Sequence, residues 1–467
     1  MTQRTATFDP AKRFFVEMLT RDIELQDAIL DLLDNCVDGA MRSNEGKQID
    51  PMRPYNGYEA KINFDENSFT IADNCGGITL ELAEKQAFRL GRPEERENED
   101  MPTVGVYGIG MKRAIFKMGE EATVHSFPRN GGHFHVKITP TWLRDDKNWI
   151  LPIIEEEGPL EEPGTSIRVS SLRDGVARFY SNETDFEESL KKSIAAYYGY
   201  IIEKGFSVYV NGERIAPNQV ALMFNRDSFD NDAEGMAPYA YRAELNGVSV
   251  QLAIGMYRPI PTEEEEDEAL DGRPSRELAG WTIICNDRVV LHADKSRNTG
   301  WGEAGVPLYH TQFVSISGIV VFKSNDASKL PLTTTKRGID GNSELYLGVK
   351  EYMREGLKLF TDFTNKWKRA SAERTALKTD SEVTSIQNIA SLVPANRWTA
   401  VRRGGGGERF KPTLPLPKED DPVRQVRFMR RTSEIRRVSE YLFDEPDVAT
   451  GDVGAKCFDE FLKKATS

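Results

Sequence analysis

The chain has 467 residues, and its 61 Lys and Arg against 74 Asp and Glu give a formal net charge of −13. At about 150 residues per domain, this length predicts about three domains. Hydrophobic residues make up 39% of the chain. Because no run of about 18 apolar residues occurs, we expect no membrane-spanning segment.

The cysteine and histidine positions exclude two further classes of protein. Four cysteines lack a C-x-x-C spacing and five histidines lie far from them, which argues against a zinc module and a disulfide framework. The first 25 residues show no secretion signal. These features predict a protein of the reducing cytoplasm.

The first 172 residues predict an α+β domain. One helix is expected over residues 10–43, because no Gly or Pro interrupts the pattern between Pro10 and Gly39. Arg92–Thr103 is polar and charge-dense, and we expect a mobile lid there. The other predicted elements are a hairpin at 61–72, a short helix at 111–118, and strands at 122–127, 133–139 and 166–171.

A second domain with strands and helices is expected at residues 173–370, and a linker with a basic helical tail at 371–467. Asn211-Gly212 predicts a tight hairpin turn within residues 206–215. The Gly- and Pro-rich stretch 402–417 has the composition of a linker. Further helices are predicted at 187–202, 343–371, 423–443 and 453–464, and further strands at 239–243, 248–256, 281–291 and 313–322.

Charge is unevenly distributed along the chain. Residues 391–440 hold twelve Lys and Arg against six Asp and Glu, so the remainder of the chain is strongly acidic. This asymmetry is compatible with a nucleic-acid partner for the tail, and equally with a contact between the tail and the acidic body of the same chain.

Five polar residues of the first predicted helix fall within an arc of about 100° on a helical wheel, opposite an apolar set. A solvated helix face explains this pattern. A Mg²⁺-nucleotide site explains it as well, since an Asn oxygen can ligate a hard cation and a carboxylate can activate water. The five residues are Asp27, Asp31, Asp34, Asn35 and Asp38.

Two later segments favour the nucleotide site. Asp73 follows a predicted strand and precedes Gly76 and Gly77, and a carboxylate there can accept a hydrogen bond from an adenine amino group. The glycine-rich segment Gly105–Gly110 precedes a helix whose first turn carries Lys112, and backbone N–H groups at a helix start can hold phosphates. The segment matches neither a Walker A loop nor a dinucleotide fingerprint.

In order and spacing, these segments resemble the four ATP-site motifs of the GHKL superfamily, which includes the ATPase component of DNA gyrase, Hsp90, MutL, MORC proteins and histidine kinases. The resemblance covers about residues 10–172. It implies a Bergerat nucleotide-binding fold, with helices on one face of a mixed sheet, and ATP and Mg²⁺ as cofactors. The four segments are Asp31–Ala40, Asp73–Gly77, Gly105–Lys112 and Gly164-Thr165.

The resemblance implies a role for each matched residue. Asn35 is the expected Mg²⁺ ligand and Asp31 the expected general base. The remaining implied nucleotide contacts are Asp38, Asp73, Gly77, Gly105, Gly108, Gly110, Lys112 and Thr165, with Asp73 and Thr165 at the base and Gly108, Gly110 and Lys112 under the phosphates.

Two positions depart from the family pattern. Asp31 stands where the family usually has Glu, and its shorter side chain implies slow hydrolysis. Glu24 cannot replace it, because seven residues separate the two by about 10 Å along a helix. Cys75 replaces the first glycine of the second motif, which leaves the geometry of that turn open, and we interpret it as a buried, inert thiol.

Residues of the second region resemble the S5-like transducer domain of the gyrase, MutL and MORC branches. The matching segments are Gly280–Val290 and Leu332–Ile339. This resemblance implies that Lys336 reaches the γ-phosphate and acts in catalysis. Without it, a lysine beside three threonines in an exposed loop carries no functional signal. Histidine kinases lack such a domain and fit less well.

The leading hypothesis is an ATP-gated dimeric clamp, closest in motif style to MutL and MORC proteins, that hydrolyses ATP slowly as a conformational switch. Its homodimer would engage DNA or a protein partner through the transducer domain and basic tail, in genome maintenance or phage defence. One alternative is an Hsp90-like chaperone. The other is a non-hydrolysing nucleotide-binding adaptor, which Asp31 favours.

Overall fold

The computed structural model has a mixed α+β architecture, as predicted. None of its described helices combines the length and the apolar character needed to cross a bilayer. The described residues are 11–45, 47–89, 109–129, 131–156, 162–181, 185–217, 221–225, 229, 235–260, 278–333, 338–367, 382–402, 406–417 and 426–466.

Two helices occupy the region where one was predicted, so the single helix over residues 10–43 is wrong. α1 spans Lys12–Arg21 and α2 spans Leu25–Ser43. Ile23 lies between them with its side chain buried, so packing rather than a Gly or Pro stabilises the break. The later helices are α3 (Leu80–Leu82), which continues into a π-helix at Ala83–Ala87, α4 (Gly110–Met118), α5 (Pro140–Arg144), α6 (Asp174–Phe179), α7 (Phe186–Glu203), α8 (Glu344–Trp367), α9 (Ile386–Leu392), α10 (Thr432–Phe443) and α11 (Thr450–Thr466).

An eight-stranded mixed sheet forms the first half of the fold. Its strands are β1 (Glu59–Phe64), β2 (Phe69–Asp73), β3 (Gly119–Phe127), β4 (His133–Ile138), β5 (Ile153–Glu156), β6 (Gly164–Leu172), β7 (Ser207–Val210) and β8 (Glu213–Arg214). They lie in the order β5-β4-β3-β6-β2-β1-β7-β8. The predicted β1–β2 hairpin is confirmed, with Ala60 opposite Asp73, and so is the turn at Asn211 and Gly212, both at positive φ.

Helices cover one face of this sheet. Ile62, Ile71, Ile167 and Val124 occupy neighbouring positions on that face and pack with the apolar residues of α2, α4 and α7. Their chain neighbours point to the opposite face, because side chains alternate along a strand. This opposite face, called the open face below, is therefore lined by Lys61, Thr70, Arg168, Thr123 and His125.

A seven-stranded sheet forms the second half, in the order β13-β12-β14-β11-β10-β17-β16, and a separate pair joins β9 to β15. Here β9 is Ala221–Phe224, β10 Tyr239–Leu245, β11 Val248–Met256, β12 Gly280–Cys285, β13 Arg288–Asp294, β14 Ile316–Lys323, β15 Glu382–Ser385, β16 Thr399–Ala400 and β17 Glu408–Phe410. α8 packs on this sheet so closely that a Cβ on Gly356 would lie 2.4 Å from Ile254.

The single strand predicted at residues 281–291 is a hairpin instead. β12 and β13 pair antiparallel, and the turn between them is formed by Asn286 and Asp287, with φ of 46° and 67°. Asn and Asp tolerate this left-handed conformation better than other non-glycine residues. The turn lacks the glycine by which such hairpins are usually recognised in a sequence.

Residues 418–467 form a separate compact unit. Within its described part the helix expected from residue 423 begins only at Thr432, and the last helix is longer than predicted. Ser439 of α10 binds the connection between the two helices of this unit, donating a hydrogen bond to the Glu445 carbonyl at 2.6 Å. The unit carries ten Lys and Arg against eleven Asp and Glu, so its basic character is confined to the first part.

The domain boundary expected at residue 172 stays a prediction. The first sheet and its core continue beyond that point, through α7 to β8 and Ile215. The segment between the boundary and Ile215 therefore belongs to the core of the first sheet, and its helix α7 also contacts β13 of the second.

The tip of the β12–β13 hairpin joins the two halves through buried polar contacts. Asp287 accepts hydrogen bonds from the Tyr55 hydroxyl at 2.8 Å and from Lys204 Nζ at 2.7 Å. Burial is the largest influence on the Lys204 amine and lowers its pKa to about 8, against the opposing effect of Asp287. Burial raises the pKa of Asp287, but Lys204 and Lys323 outweigh it and leave that pKa below its usual value.

The next residue, Arg288, forms a buried ion pair with α2. Its Nε donates to Asp34 Oδ1 at 2.8 Å, and both side chains are almost fully buried. The Tyr198 hydroxyl donates to the same Asp34 oxygen at 2.5 Å. Burial disfavours the guanidinium charge, yet Tyr198 and Asp34 together raise the pKa of Arg288 above its ordinary value. The pair fixes α2 against the second sheet.

We expect Arg288→Met to lower the free energy of unfolding by about 3 to 5 kcal/mol, because it leaves the Asp34 carboxylate buried without its cation. The double variant Asp34→Leu with Arg288→Met should recover most of this loss, since no unpaired charge remains. Urea unfolding followed by tryptophan fluorescence measures both effects.

The control for this prediction is Arg13→Met, which breaks an exposed ion pair with Glu17 of 2.9 Å. Breaking an exposed pair of this kind should cost less than about 1 kcal/mol. Equal losses in the Arg13 and Arg288 variants would contradict a special contribution of the buried pair.

Candidate nucleotide-binding site

The polar face of α2 is divided between buried and accessible residues. Asp34 and Asp38 are buried, Asp31 is partly buried and Asn35 is exposed. A uniformly solvated helix face is therefore wrong for this helix. The accessible part of the face consists of Asp27, Asp31 and Asn35. Of these, Asn35 and Asp31, one helical turn apart, are the expected metal ligand and general base.

Asp31 forms an ion pair with Arg113, a residue that the sequence did not single out. Arg113 Nη2 lies 2.6 Å from Asp31 Oδ2. The start of α4 approaches α2 closely here, since a Cβ on Gly110 would lie 3.4 Å from the Asp31 Cβ. The structure thus brings Gly110 to Asp31, but it also places a guanidinium on the expected general base.

Lys112 is directed to the chain segment after α3. It is buried, and its Nζ donates to the carbonyl of Ala87, the last residue of the π-helix, at 2.9 Å. Burial lowers the pKa of Lys112 to about 8. Gly105, Gly108 and the expected lid Arg92–Thr103 lie outside the described residues, so the glycine-rich loop that would hold phosphates beside Lys112 stays a prediction.

Asp73 and Thr165 are brought together as expected. They are paired positions at the ends of β2 and β6, and Asp73 Oδ1 accepts hydrogen bonds from the backbone N–H of Cys75 at 2.7 Å and of Thr165 at 3.3 Å. Burial is the largest influence on the Asp73 carboxyl and raises its pKa, partly offset by these hydrogen bonds. The result is a desolvated acceptor at the edge of the helix-covered face.

The turn after Asp73 tolerates Cys75 in place of the family's glycine. The left-handed conformations fall on Gly76 and Gly77, with φ of 100° and 72°. A Cβ on Gly77 would lie 2.5 Å from the Phe127 carbonyl oxygen, so only glycine fits there. Cys75 is buried and burial raises its pKa strongly, which agrees with an inert thiol.

This turn is docked directly on α2. Ser43 Oγ donates to the Cys75 carbonyl at 2.8 Å. A Cβ on Gly39 would lie 3.0 Å from both Cβ and O of Cys75, so the absence of a side chain at Gly39 permits the contact. The expected base-binding residues and the expected metal ligand therefore belong to one packed arrangement.

Lys336 is not placed by the structure. It falls among residues 334–337, outside the described part of the chain. The flanking residues pair with each other, since Leu332 bridges to Ile339 and the Thr333 N–H donates to the Gly338 carbonyl at 3.2 Å. The catalytic role expected for Lys336 stays a prediction.

Two arrangements in this region had no signal in the sequence. Arg113 follows Lys112 in a short helix, and nothing local distinguishes it from a solvent-exposed arginine. Arg288 reaches Asp34 across 254 positions of sequence. Only the pairing of Asn286 with Asp287, as a hairpin turn without glycine, could have indicated that a hairpin tip lies there.

Comparison with known proteins relates the first part of the chain to one family. Residues 23–162 match the family model described as "Histidine kinase-, DNA gyrase B-, and HSP90-like ATPase". A search of the curated proteins found no match. The matched segment contains Asp31, Asn35, Asp73 and Lys112, and it ends just before Thr165. This match supports the assignment of residues 23–162 to the GHKL superfamily of ATPases.

Proposed function

We propose that this protein binds Mg·ATP between α2 and the turn after β2, and hydrolyses it slowly. The observation that carries the proposal is the docking of the Asp73–Gly77 turn on α2 through Ser43 and Gly39. It joins a partly buried carboxylate acceptor, suited to an adenine amino group, to a helix that presents Asn35 and Asp31.

The donor set of α2 fits a hard cation. Asn35 is exposed, and Asp31 lies one turn away on the same face. Oxygen ligands of this kind suit Mg²⁺, which keeps several waters and is shared with substrate phosphates. When bound, the ion would offset the charge that develops on the phosphates during transfer. Asn35 would hold it, and Asp31 would orient or deprotonate the attacking water.

The same helix offers a route from the nucleotide to the second half of the chain. Asp34 is adjacent to Asn35 and is held by Arg288 from β13. A displacement of α2 on nucleotide binding would therefore act on the β12–β13 hairpin. This coupling supports a transducer-like role for the second half, with Lys336 contacting the γ-phosphate, as in an ATP-gated dimeric clamp of the MutL and MORC kind.

The partner of such a clamp is proposed only by its chemical class. The excess of positive charge in residues 391–440 favours DNA, since phosphate contacts supply most non-specific affinity. Charge is nearly balanced over the separate unit of residues 418–467. Within that unit, a basic surface for DNA would therefore be confined to its first part. A protein partner is the alternative.

We expect Asp73→Asn to weaken ATP affinity about 10- to 100-fold, because an amide cannot replace the carboxylate acceptor for a base amino group without leaving a polar group unpaired. Isothermal titration with a non-hydrolysable ATP analogue and Mg²⁺ measures the loss. The matched control is Glu66→Gln, an exposed carboxylate in the β1–β2 hairpin. Unchanged affinity in Asp73→Asn would refute this location of the base.

A non-hydrolysing adaptor is the second candidate, and the Asp31–Arg113 ion pair favours it. The Arg113 guanidinium occupies the Asp31 carboxylate oxygen and would have to leave before that oxygen could accept a proton from water. If Asp31 activates water, Asp31→Asn should reduce turnover about 10²- to 10⁴-fold with ATP affinity nearly unchanged. Phosphate release from radiolabelled ATP measures turnover. No phosphate release by the wild type would instead identify the adaptor, and identical release by wild type and Asp31→Asn would show that Asp31 is not the base.

ATP binding should take up protons at pH 8 through Lys112. Its pKa of about 8 leaves the amine roughly half protonated there, and a nearby phosphate would raise that pKa towards the ordinary value. The contribution of Lys112 to ATP affinity should therefore be present below pH 8 and decline above it. Titrations in two buffers of different ionisation enthalpy measure the uptake.

Lys112→Met is the comparison for this measurement, since it removes the amine and retains an apolar side chain of similar length. The variant should lose the proton uptake and bind ATP more weakly. The same uptake in wild type and variant would show that the protons do not bind to Lys112 and would contradict its contact with phosphate.

A further inference from the structure

Two histidines and a glutamate meet on the open face of the first sheet. His125 on β3 and His135 on β4 are directly opposite each other in the antiparallel register. Glu156 ends the neighbouring strand β5, where it is opposite His133. All three residues therefore belong to adjacent strands whose backbone hydrogen bonds fix their separation.

The side chains converge as well as the strands. The rings of His125 and His135 have centroids 5.3 Å apart, and His135 Nδ1 is in hydrogen-bond contact with Glu156 Oε1. One potential ligand atom from each of the three residues lies within 4.8 Å of the other two. Small side-chain rotations would bring these atoms around a single ion with bonds of about 2.0 to 2.2 Å.

The surroundings hold the imidazoles in place. His135 is buried and His125 is partly buried, and Phe127 stacks nearly parallel to His125, with ring centroids 6.5 Å apart. His133 packs on Phe127 at 5.6 Å and lies outside the group of three. Glu156 is half exposed, so an ion could enter from its side.

We propose that His125, His135 and Glu156 bind a divalent transition-metal ion of the Zn²⁺ type, with water completing its coordination. Two imidazole nitrogens and one carboxylate oxygen are a ligand set for such ions and not for Mg²⁺, which prefers oxygen alone. The site lies on the face of the sheet opposite α2, so it is distinct from the proposed Mg²⁺ site. The exclusion of a zinc module from the cysteine pattern does not apply to it, because the site needs no cysteine.

The expected effect of the ion is to tie β3, β4 and β5 together behind the nucleotide pocket. Ser126, next to His125, points to the helix-covered face. Its hydroxyl accepts a hydrogen bond from the Ile78 N–H at 2.7 Å and donates one to the Ile78 carbonyl at 2.8 Å. Ile78 directly follows Gly77. A metal at His125 would therefore stiffen the strand that supports the turn after Asp73.

The test is Zn²⁺ titration of the full chain after chelator treatment, followed by calorimetry in an excess of Mg²⁺. A Cys457→Ser background removes the one cysteine that is not buried. We expect one Zn²⁺ per chain, and at least about tenfold weaker binding in His135→Ala and Glu156→Gln, because even outer partners of a metal site are worth that much. Co²⁺ should give visible absorption that His135→Ala abolishes.

His310→Ala is the matched control, since His310 is an exposed histidine outside the cluster. It should bind Zn²⁺ like the parent protein. Glu156→Gln retains a hydrogen-bond partner for His135, so its circular dichroism should match the parent even if His135→Ala fails to fold. Absence of Zn²⁺ binding, displacement by Mg²⁺, or equal affinity in the parent, Glu156→Gln and His310→Ala would each overturn the proposal.

Discussion

The buried ion pair between Asp34 and Arg288 is the constraint on which the arrangement of this molecule depends. A charge in the interior is stable only with its partner in place, so α2 and β13 cannot separate without a large cost. Asp287, one residue earlier in the chain, is likewise held in place by hydrogen bonds from Tyr55 and Lys204. The hairpin tip therefore acts as a polar connector between two sheets with separate apolar cores.

α2 serves three neighbours at once. Its buried apolar side packs on the first sheet, Asp34 binds the second half, and Ser43 and Gly39 receive the turn after Asp73. A helix with so many fixed contacts moves as a unit rather than residue by residue. Occupation of the accessible Asn35 and Asp31 face is thereby connected to the inter-sheet contact without an intervening loop.

Local patterns predicted the elements that depend on neighbouring residues. The β1–β2 hairpin and the Asn211-Gly212 turn follow from strand alternation and turn chemistry. The expectation that Asp73 and Thr165 lie together follows instead from the resemblance to the ATP-site motifs. The wheel also placed the polar residues of α2 on one face correctly. It could not show that Asp34 is buried, because the partner that makes burial tolerable lies in another domain of the sequence.

The features that the sequence does not predict likewise depend on contacts between distant parts of the chain. The break between α1 and α2 lacks Gly and Pro and is stabilised by the packing of Ile23, which only the assembled core supplies. Nothing in the sequence distinguishes Arg113, because an arginine on a short helix has many solvent-exposed counterparts. Residue type and spacing thus indicate where a nucleotide pocket is expected, whereas the ionic contacts there depend on which distant strands and helices become neighbours.

The π-helix at Ala83–Ala87, which continues α3, accommodates one residue more than an α-helical turn would. Its hydrogen bonds enclose one more residue than those of an α-helix. Tightening the turn to α geometry would advance the following chain by about 1.5 Å and rotate it by about 100°. Since Lys112 binds the carbonyl of Ala87, such a change of helical register would withdraw its acceptor. The helical geometry of residues 83–87 and the direction of the Lys112 amine are therefore coupled.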